Sequence, residues 1–214
     1  MKETRLVIFD IDGTLVDAYA AIDASFNHTM LQLGYPRRAD AVIRRAVGWG
    51  DENLLKPFIK RQDLKEALNI YRQHHKKALT GPGVRMLPNA RSLLRRLKMK
   101  KLRLAVASNR PTEFSMILLK HLKIDKYFDY ILCADKLKRA KPYPDILNKI
   151  MRKLSVRADQ TLYVGDMTVD AQTGRRAKVR TVIVTTGSHK LKEIKREKPY
   201  AIAARLSLDS LGLR

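Results

Sequence analysis

Apolar residues along this chain fall into two rhythms. Short, nearly continuous apolar runs occur at Arg5–Phe9, Leu102–Ser108, Tyr130–Ala134, Thr161–Asp166 and Thr181–Gly187. Runs of that length and continuity predict strands buried on both faces. Between the later runs the spacing changes to three and four residues, predicting helices over 90–98, 114–122, 144–154 and 170–177. Strands alternating with such helices predict an α/β fold built on a parallel, doubly covered sheet.

One block breaks the alternation. From about Val16 to Thr80 the pattern is helical throughout, with Ile22, Phe26 and Met30, then Leu64, Leu68 and Tyr71, and no strand signal. The turn-rich stretch TGPGVRMLP (Thr80–Pro88) closes it. The expected organisation is therefore a core made of 1–15 and 81–214, with an inserted helical lid or cap over 16–80. The Lys/Glu-rich stretch Lys190–Lys198 reads as a solvated helix face.

Charge adds an anomaly. Lys and Arg number 44 against 21 Asp and Glu, a net +23. Such an excess concentrates anions and supports nonspecific contact with nucleic acid. The bases are scattered as pairs, and no recognition motif for nucleic acid accompanies them, so specific nucleic-acid binding is not expected. No apolar run approaches the ~18 residues of a membrane span. The N-terminal MKETRLVIFD lacks the long apolar segment of a secretory leader, and the single Cys133 sits in an apolar run as a structural thiol; both suit the cytoplasm. His74-His75, in YRQHHKK, reads as part of a solvated helix face; Trp49, between Gly48 and Gly50, is either a cap core residue or a contact to substrate.

Candidate chemistry collects where the strands end, the edge at which open parallel sheets bind ligands. The first strand runs into Asp10 and Asp12, the second into Ser108-Asn109, and the LYVG strand into Asp166, with Asp170 four residues on. Lys141-Pro142 opens the helix before that strand. Crowded carboxylates repel one another and are costly to bury unpartnered. They are also the hard oxygen ligands Mg2+ prefers. A hydroxyl and an ammonium beside them suit phosphoryl oxygens. Asp10 could attack phosphorus as a carboxylate nucleophile, and Asp12 could protonate the leaving oxygen and then deprotonate water. Asp17, past the turn, reads as a first-turn acid of the cap helix.

The segments DIDGTLVD, VASNR, AKPYPDIL and VGDMTVD, in this order, resemble the four motifs of the haloacid dehalogenase-like hydrolases. The resemblance implies a Rossmann-like core with an α-helical cap inserted after the first motif. It implies Asp10 as nucleophile and metal ligand, and Asp12 as acid/base, contributing a backbone carbonyl to Mg2+. Asp166 becomes a further metal ligand, and Asp170 supports the metal from behind. Thr14, Ser108, Asn109 and Lys141 become the phosphate-binding set, Lys141 holding nucleophile and phosphate together. An acid at position 12 favours phosphoryl transfer over dehalogenation, where a leaving halide needs no proton. AVGWGDENLL and RRAKVRTVIVTTG resemble phosphoglycolate phosphatase-like members, with Ser108-Asn109-Arg110 replacing a common Thr-Asn-Lys and Lys178 standing where Gly is usual. A positive φ there would strain Lys178.

The expected activity is a Mg2+-dependent phosphatase acting on a small phosphorylated metabolite of the phosphoglycolate type. A phosphoglucomutase-like phosphotransferase is disfavoured because Ala18-Tyr19-Ala20 offers no His just after the first motif. A nucleotide or pyrophosphate phosphatase and a basic nucleic-acid-binding protein remain as alternatives.

Overall fold

The first strand, β1 (Leu6–Phe9), is wholly apolar and fully buried, as a central strand covered on both sides must be. The computed structural model describes residues 3–213. After β1 the chain makes a short strand β2 (Val16–Asp17) and then helices α1 (Tyr19–Gln32), α2 (Asp40–Ala46), α3 (Asp51–Leu55) and α4 (Leu64–Ala78). Strand β3 (Arg85–Met86) returns antiparallel to β2, pairing Val16 with Met86 and Asp17 with Arg85. These strands lie where no strand was expected, because two residues are too few to carry an alternation.

The alternating part follows: α5 (Ala90–Met99), β4 (Arg103–Ser108), α6 (Thr112–His121), β5 (Tyr130–Cys133), α7 (Asp145–Lys153), β6 (Thr161–Gly165), α8 (Thr168–Arg176), β7 (Arg180–Val184), α9 (Leu191–Arg196) and β8 (Ala201–Ala203). The strands form one parallel sheet in the order β5-β4-β1-β6-β7-β8. The edge strand β8 was not anticipated. It is the shortest strand of this sheet, and all of it is half-buried.

Each sheet face has its own core. Val7, Phe9, Val106 and Val164 pack with Leu93, Leu94 and Leu97 of α5 on one side. Leu6, Ile8, Ala105 and Tyr163 pack with Ile146, Leu147 and Ile150 of α7 on the other. The inserted helices bury a third cluster around Ile22, Phe26, Met30, Leu55 and Tyr71. No described helix is long and apolar enough to cross a membrane.

Helices α5, α6, α7 and α8 end in one device. The residue after each C-cap (Lys101, Lys123, Ser155, Lys178) has φ between 52° and 57°. The next residue, apolar each time (Leu102, Ile124, Val156, Val179), donates back to a carbonyl in the last turn at 2.9–3.2 Å. This is the Schellman closure, whose left-handed residue is usually Gly. The positive φ anticipated for Lys178 is present, at 57°.

Candidate active site

The carboxyl ends of β1, β4 and β6 meet beneath the inserted helices. Asp10 follows β1 directly, held by its N–H to the carbonyl of Val164 at 2.9 Å, and its side chain is buried. Lys141 reaches it from the segment before α7: Nζ lies 3.0 Å from Asp10 Oδ1 and 2.8 Å from Asp170 Oδ1. Tyr163, inside β6, donates to the same Asp170 oxygen at 2.6 Å and accepts from Lys141 Nζ at 3.2 Å. The other oxygen of Asp170 accepts the backbone N–H groups of Asp166 and Met167. Asp170 thus has both oxygens engaged, aligning Lys141 and the turn that carries Asp166.

The electrostatics follow from this burial. Desolvation, opposed by Lys141 and reinforced by Asp170 and Asp12, raises the pKa of Asp10 to about 7. Desolvation together with Asp170 and Asp10 raises Asp166 well above the carboxylate range. Burial opposes the charge of Lys141, but Asp10 and Asp170 outweigh it and its pKa rises.

Asp10, Asp166 and Asp170 each offer an oxygen within 4.8 Å of the others. Asp166 Oδ1 accepts from Thr14 Oγ1 at 2.9 Å, whereas Oδ2 is buried without a hydrogen-bond partner. A Cβ on Gly13 would sit 2.2 Å from that free oxygen, and one on Gly187 2.0 Å from it. The Tyr19 hydroxyl, also buried and unpartnered, would lie 2.9 Å from the same Gly13 position. An orphaned carboxylate oxygen, a second orphaned oxygen nearby and a cradle kept clear by two glycines fit a hard divalent cation with its water.

Of the expected phosphate contacts, Ser108 and Lys141 line the cleft beside Asp10. Thr14 turns its hydroxyl to Asp166 instead. Asn109 also lines the cleft, but its amide donates to Gly48 and Lys141 carbonyls (2.9 and 3.1 Å) and accepts from Lys141 N (2.9 Å). It ties the Lys141 segment and the inserted helices to the end of β4. Asp17 lies in β2, not in the first turn of α1, which holds no acid; it accepts the N–H of Tyr19 at 3.3 Å and pairs with Arg85 across the short ribbon. Gly48 and Gly50 line the cleft, and Trp49 between them does not.

Two residues of the site were not legible beforehand. Arg110 is buried and grips Asp12 with a fork, Nη2 to Oδ1 at 2.6 Å and Nε to Oδ2 at 3.0 Å. His75 corrects the expectation of a solvated histidine pair. It is 2 % exposed, stacked on Tyr71, and its Nε2 lies 2.7 Å from Arg110 Nη1. Burial, then Arg110, lowers its pKa to about 2. The helical period would have exposed this signal: Ala67, Tyr71 and His75 recur every four residues, placing His75 on the buried stripe of α4. The cleft so closed has a volume of about 60 Å3, with Ile22, Val47, Leu54, Tyr71 and Phe114 as its apolar walls.

A family model described as haloacid dehalogenase-like hydrolase matches residues 7–184. A phosphoglycolate phosphatase from Pseudomonas putida is 32% identical, over 92% of this chain and 75% of that protein. One from Aquifex aeolicus is 31% identical, over 87% of each. The crystal structure of a predicted phosphoglycolate phosphatase from Haemophilus somnus superposes with a TM-score of 0.90 at 25% identity, covering 95% of both chains.

Proposed function

This chain belongs to the haloacid dehalogenase-like hydrolases, on their phosphoglycolate phosphatase-like branch, and is a phosphatase; we propose that it hydrolyses a small phosphorylated metabolite of the phosphoglycolate type through an aspartyl-phosphate, with Mg2+ as its metal. The observation that carries this reading is the pairing of Asp10 with Lys141 at the floor of the cleft, 3.0 Å apart.

Lys141 holds one oxygen of Asp10, which leaves the other for attack on phosphorus. Charge developing on the phosphoryl oxygens meets the ammonium of Lys141 and the hydroxyl of Ser108, fixed in place before the reaction begins. Asp12 gives a proton to the leaving oxygen and then draws one from the water that cleaves the aspartyl-phosphate. Arg110 orients Asp12 in its ionised form, the form that draws the proton from water, and one arm of the fork must release while Asp12 carries the proton. A bound Mg2+, held by the Asp10 and Asp166 side chains and the Asp12 carbonyl, would neutralise the crowded carboxylates and polarise the phosphoryl group.

Residues 16–80 act in this reading as a cap. His75, Tyr71 and Leu54 roof the cleft and exclude bulk water while phosphorus is transferred. The cleft's volume of about 60 Å3 is a few waters' worth of space, which favours a compact substrate over a nucleotide. A phosphotransferase reading gains one feature, a histidine in the cleft. Both nitrogens of His75 are engaged, however, by Arg110 Nη1 at 2.7 Å and Ser25 Oγ at 3.2 Å.

The test is hydrolysis of para-nitrophenyl phosphate and a panel of phosphorylated metabolites, with Mg2+ or EDTA. Metal-dependent turnover of small phosphomonoesters, abolished in Asp10→Asn, is expected. Turnover indifferent to EDTA, or retained in Asp10→Asn, overturns the reading.

A further inference from the structure

The cleft leaves most of the +23 charge unexplained, because its own cations are matched: Lys141 by Asp10 and Asp170, Arg110 by Asp12. The excess is unevenly placed. Beside α7 an open groove of about 810 Å3 runs between the segment 136–139, the helix and the turn 155–158. Six bases line it, Lys136, Lys138, Arg139, Lys149, Arg152 and Arg157, against one acid, Asp145. The whole chain has 44 bases to 21 acids, so the groove is about three times as biased. Three of the six are already paired: Arg139 with Asp145 at 3.1 Å, Lys136 with Asp135 at 3.5 Å and Arg157 with Asp159 at 3.2 Å. Lys138, Lys149 and Arg152 face the groove with no carboxylate partner among the described residues.

The basic path does not stop at the turn. Ser155 and Val156 also line a neighbouring depression of about 200 Å3, which adds Arg5, Lys100, Lys101 and Arg103, with Glu3 as its one acid, at the start of β1 and β4. Helix α7, nine residues long, contributes about 13 Å of this path. At the other end stands Tyr143, 46% exposed, with the guanidinium of Arg139 4.7 Å from its ring centre and that of Arg176 5.6 Å away. Exposed aromatic and guanidinium planes set beside a cationic channel form the kind of surface on which unpaired bases stack.

We propose that this groove is a sequence-independent track for single-stranded nucleic acid, its unpaired bases holding the phosphodiester backbone and the Tyr143–Arg139 platform taking a base. The concave shape and the stacking platform favour a strand over a flat anionic membrane. The site does not depend on the phosphatase reading, since none of its six bases lines the cleft.

The test uses the full chain and fluorescence anisotropy with a labelled oligouridine of about 20 nucleotides, titrated with salt. The groove variant K138E/K149E/R152E is compared with K192E/K195E/R196E on the exposed face of α9; each changes the net charge by three times two, from +23 to +17. The groove variant is expected to lose at least tenfold in affinity at about 100 mM salt. Its slope of log affinity against log salt should fall by roughly 2, at about 0.7 per phosphate contact for three contacts. The α9 variant should stay within about threefold of the parent. Y143A should weaken RNA several-fold and leave inorganic polyphosphate binding unchanged. Hydrolysis of para-nitrophenyl phosphate reports folding, and the milder K138Q/K149Q/R152Q replaces any groove variant that fails to fold. Equal losses in the two charge-matched variants, no binding by the parent chain, or duplex DNA bound as tightly as RNA with Y143A silent, each overturns the proposal.

Discussion

Arg110 holds both carboxylate oxygens of Asp12 and, with its third nitrogen, reaches 2.7 Å to Nε2 of His75 in the inserted helices. Arginine can only donate, so Nε2 of His75 is an acceptor and the ring proton sits on Nδ1, facing Ser25 Oγ. One guanidinium therefore fixes the direction of Asp12 and the tautomer of a histidine in the inserted helices together.

Replacing Arg110 separates charge from shape. Arg110→Lys keeps a cation but loses the planar fork, and kcat should fall about tenfold with KM nearly unchanged. Arg110→Ala leaves Asp12 and His75 unpartnered and should cost about 10- to 100-fold, the equivalent of about 1.5–3 kcal/mol for a charge-assisted bond. Steady-state kinetics on a small phosphomonoester with Mg2+ measures both. Equal effects of the two variants would mean that the planar fork alone matters, whereas an Arg110→Lys enzyme as active as the parent would mean that the charge suffices.

His75 sets part of the acid limit of stability. Its folded pKa, about 2, lies below the ordinary 6.5 of an unfolded histidine. The unfolded chain therefore binds the proton first as pH falls. The contribution of His75 is complete above about pH 6.5 and is lost progressively as pH falls toward 2. His75→Gln should be less stable than the parent at pH 7 and converge with it toward pH 4. Urea titrations across that range give the comparison.

The carboxylates behave in the opposite sense without metal. Asp10, raised to about 7, and Asp166, raised well above the carboxylate range, favour the folded state while protonated. Their contribution is full below an unfolded carboxylate's 3.8 and is lost as pH rises through the folded values. Metal-free Asp166→Asn should therefore match or exceed the parent's stability at pH 8, with turnover abolished. Added Mg2+ should stabilise the parent and not the variant, read as a shift in Tm.

Gly187 isolates the cation site from the chemistry of the acids. An added Cβ would lie 2.0 Å from Asp166 Oδ2, and no positive φ is recorded at this glycine to confuse the result. Gly187→Ala, whose Cβ must displace the Asp166 carboxylate, should weaken Mg2+ binding by at least tenfold in calorimetric titration although no acid is removed. Unchanged affinity would show that the oxygen's free side is not where the ion is held.

The sheet and the edge at which its acids gather could be read from the chain because they rest on local rules. A strand such as LVIF, buried on two faces, has only one reading, and acids at strand ends stand out against apolar runs. What stayed hidden depends on distant partners. Nothing near Arg110 in sequence marks it as the mate of Asp12, ninety-eight positions away. His75 was obscured by the lysines beside it, although its spacing from Tyr71 pointed inward. Thr14 and Asn109 sit in the expected loops, but their side chains answer to Asp166, Gly48 and Lys141, which no linear pattern specifies.

The four Schellman closures carry a consequence for heat resistance. Three place lysine and one serine where a side chain is penalised by the left-handed backbone, by about 1 kcal/mol each. A lysine at a helix's carboxyl end recovers part of this through the dipole, which salt weakens. Lys101→Gly, Lys123→Gly, Ser155→Gly and Lys178→Gly lie at the ends of four different helices, so their gains should add. The quadruple variant should melt several degrees above the parent, most clearly at high ionic strength. The same exchange would remove three cations, which makes these turns places where thermal margin and surface charge are set against each other.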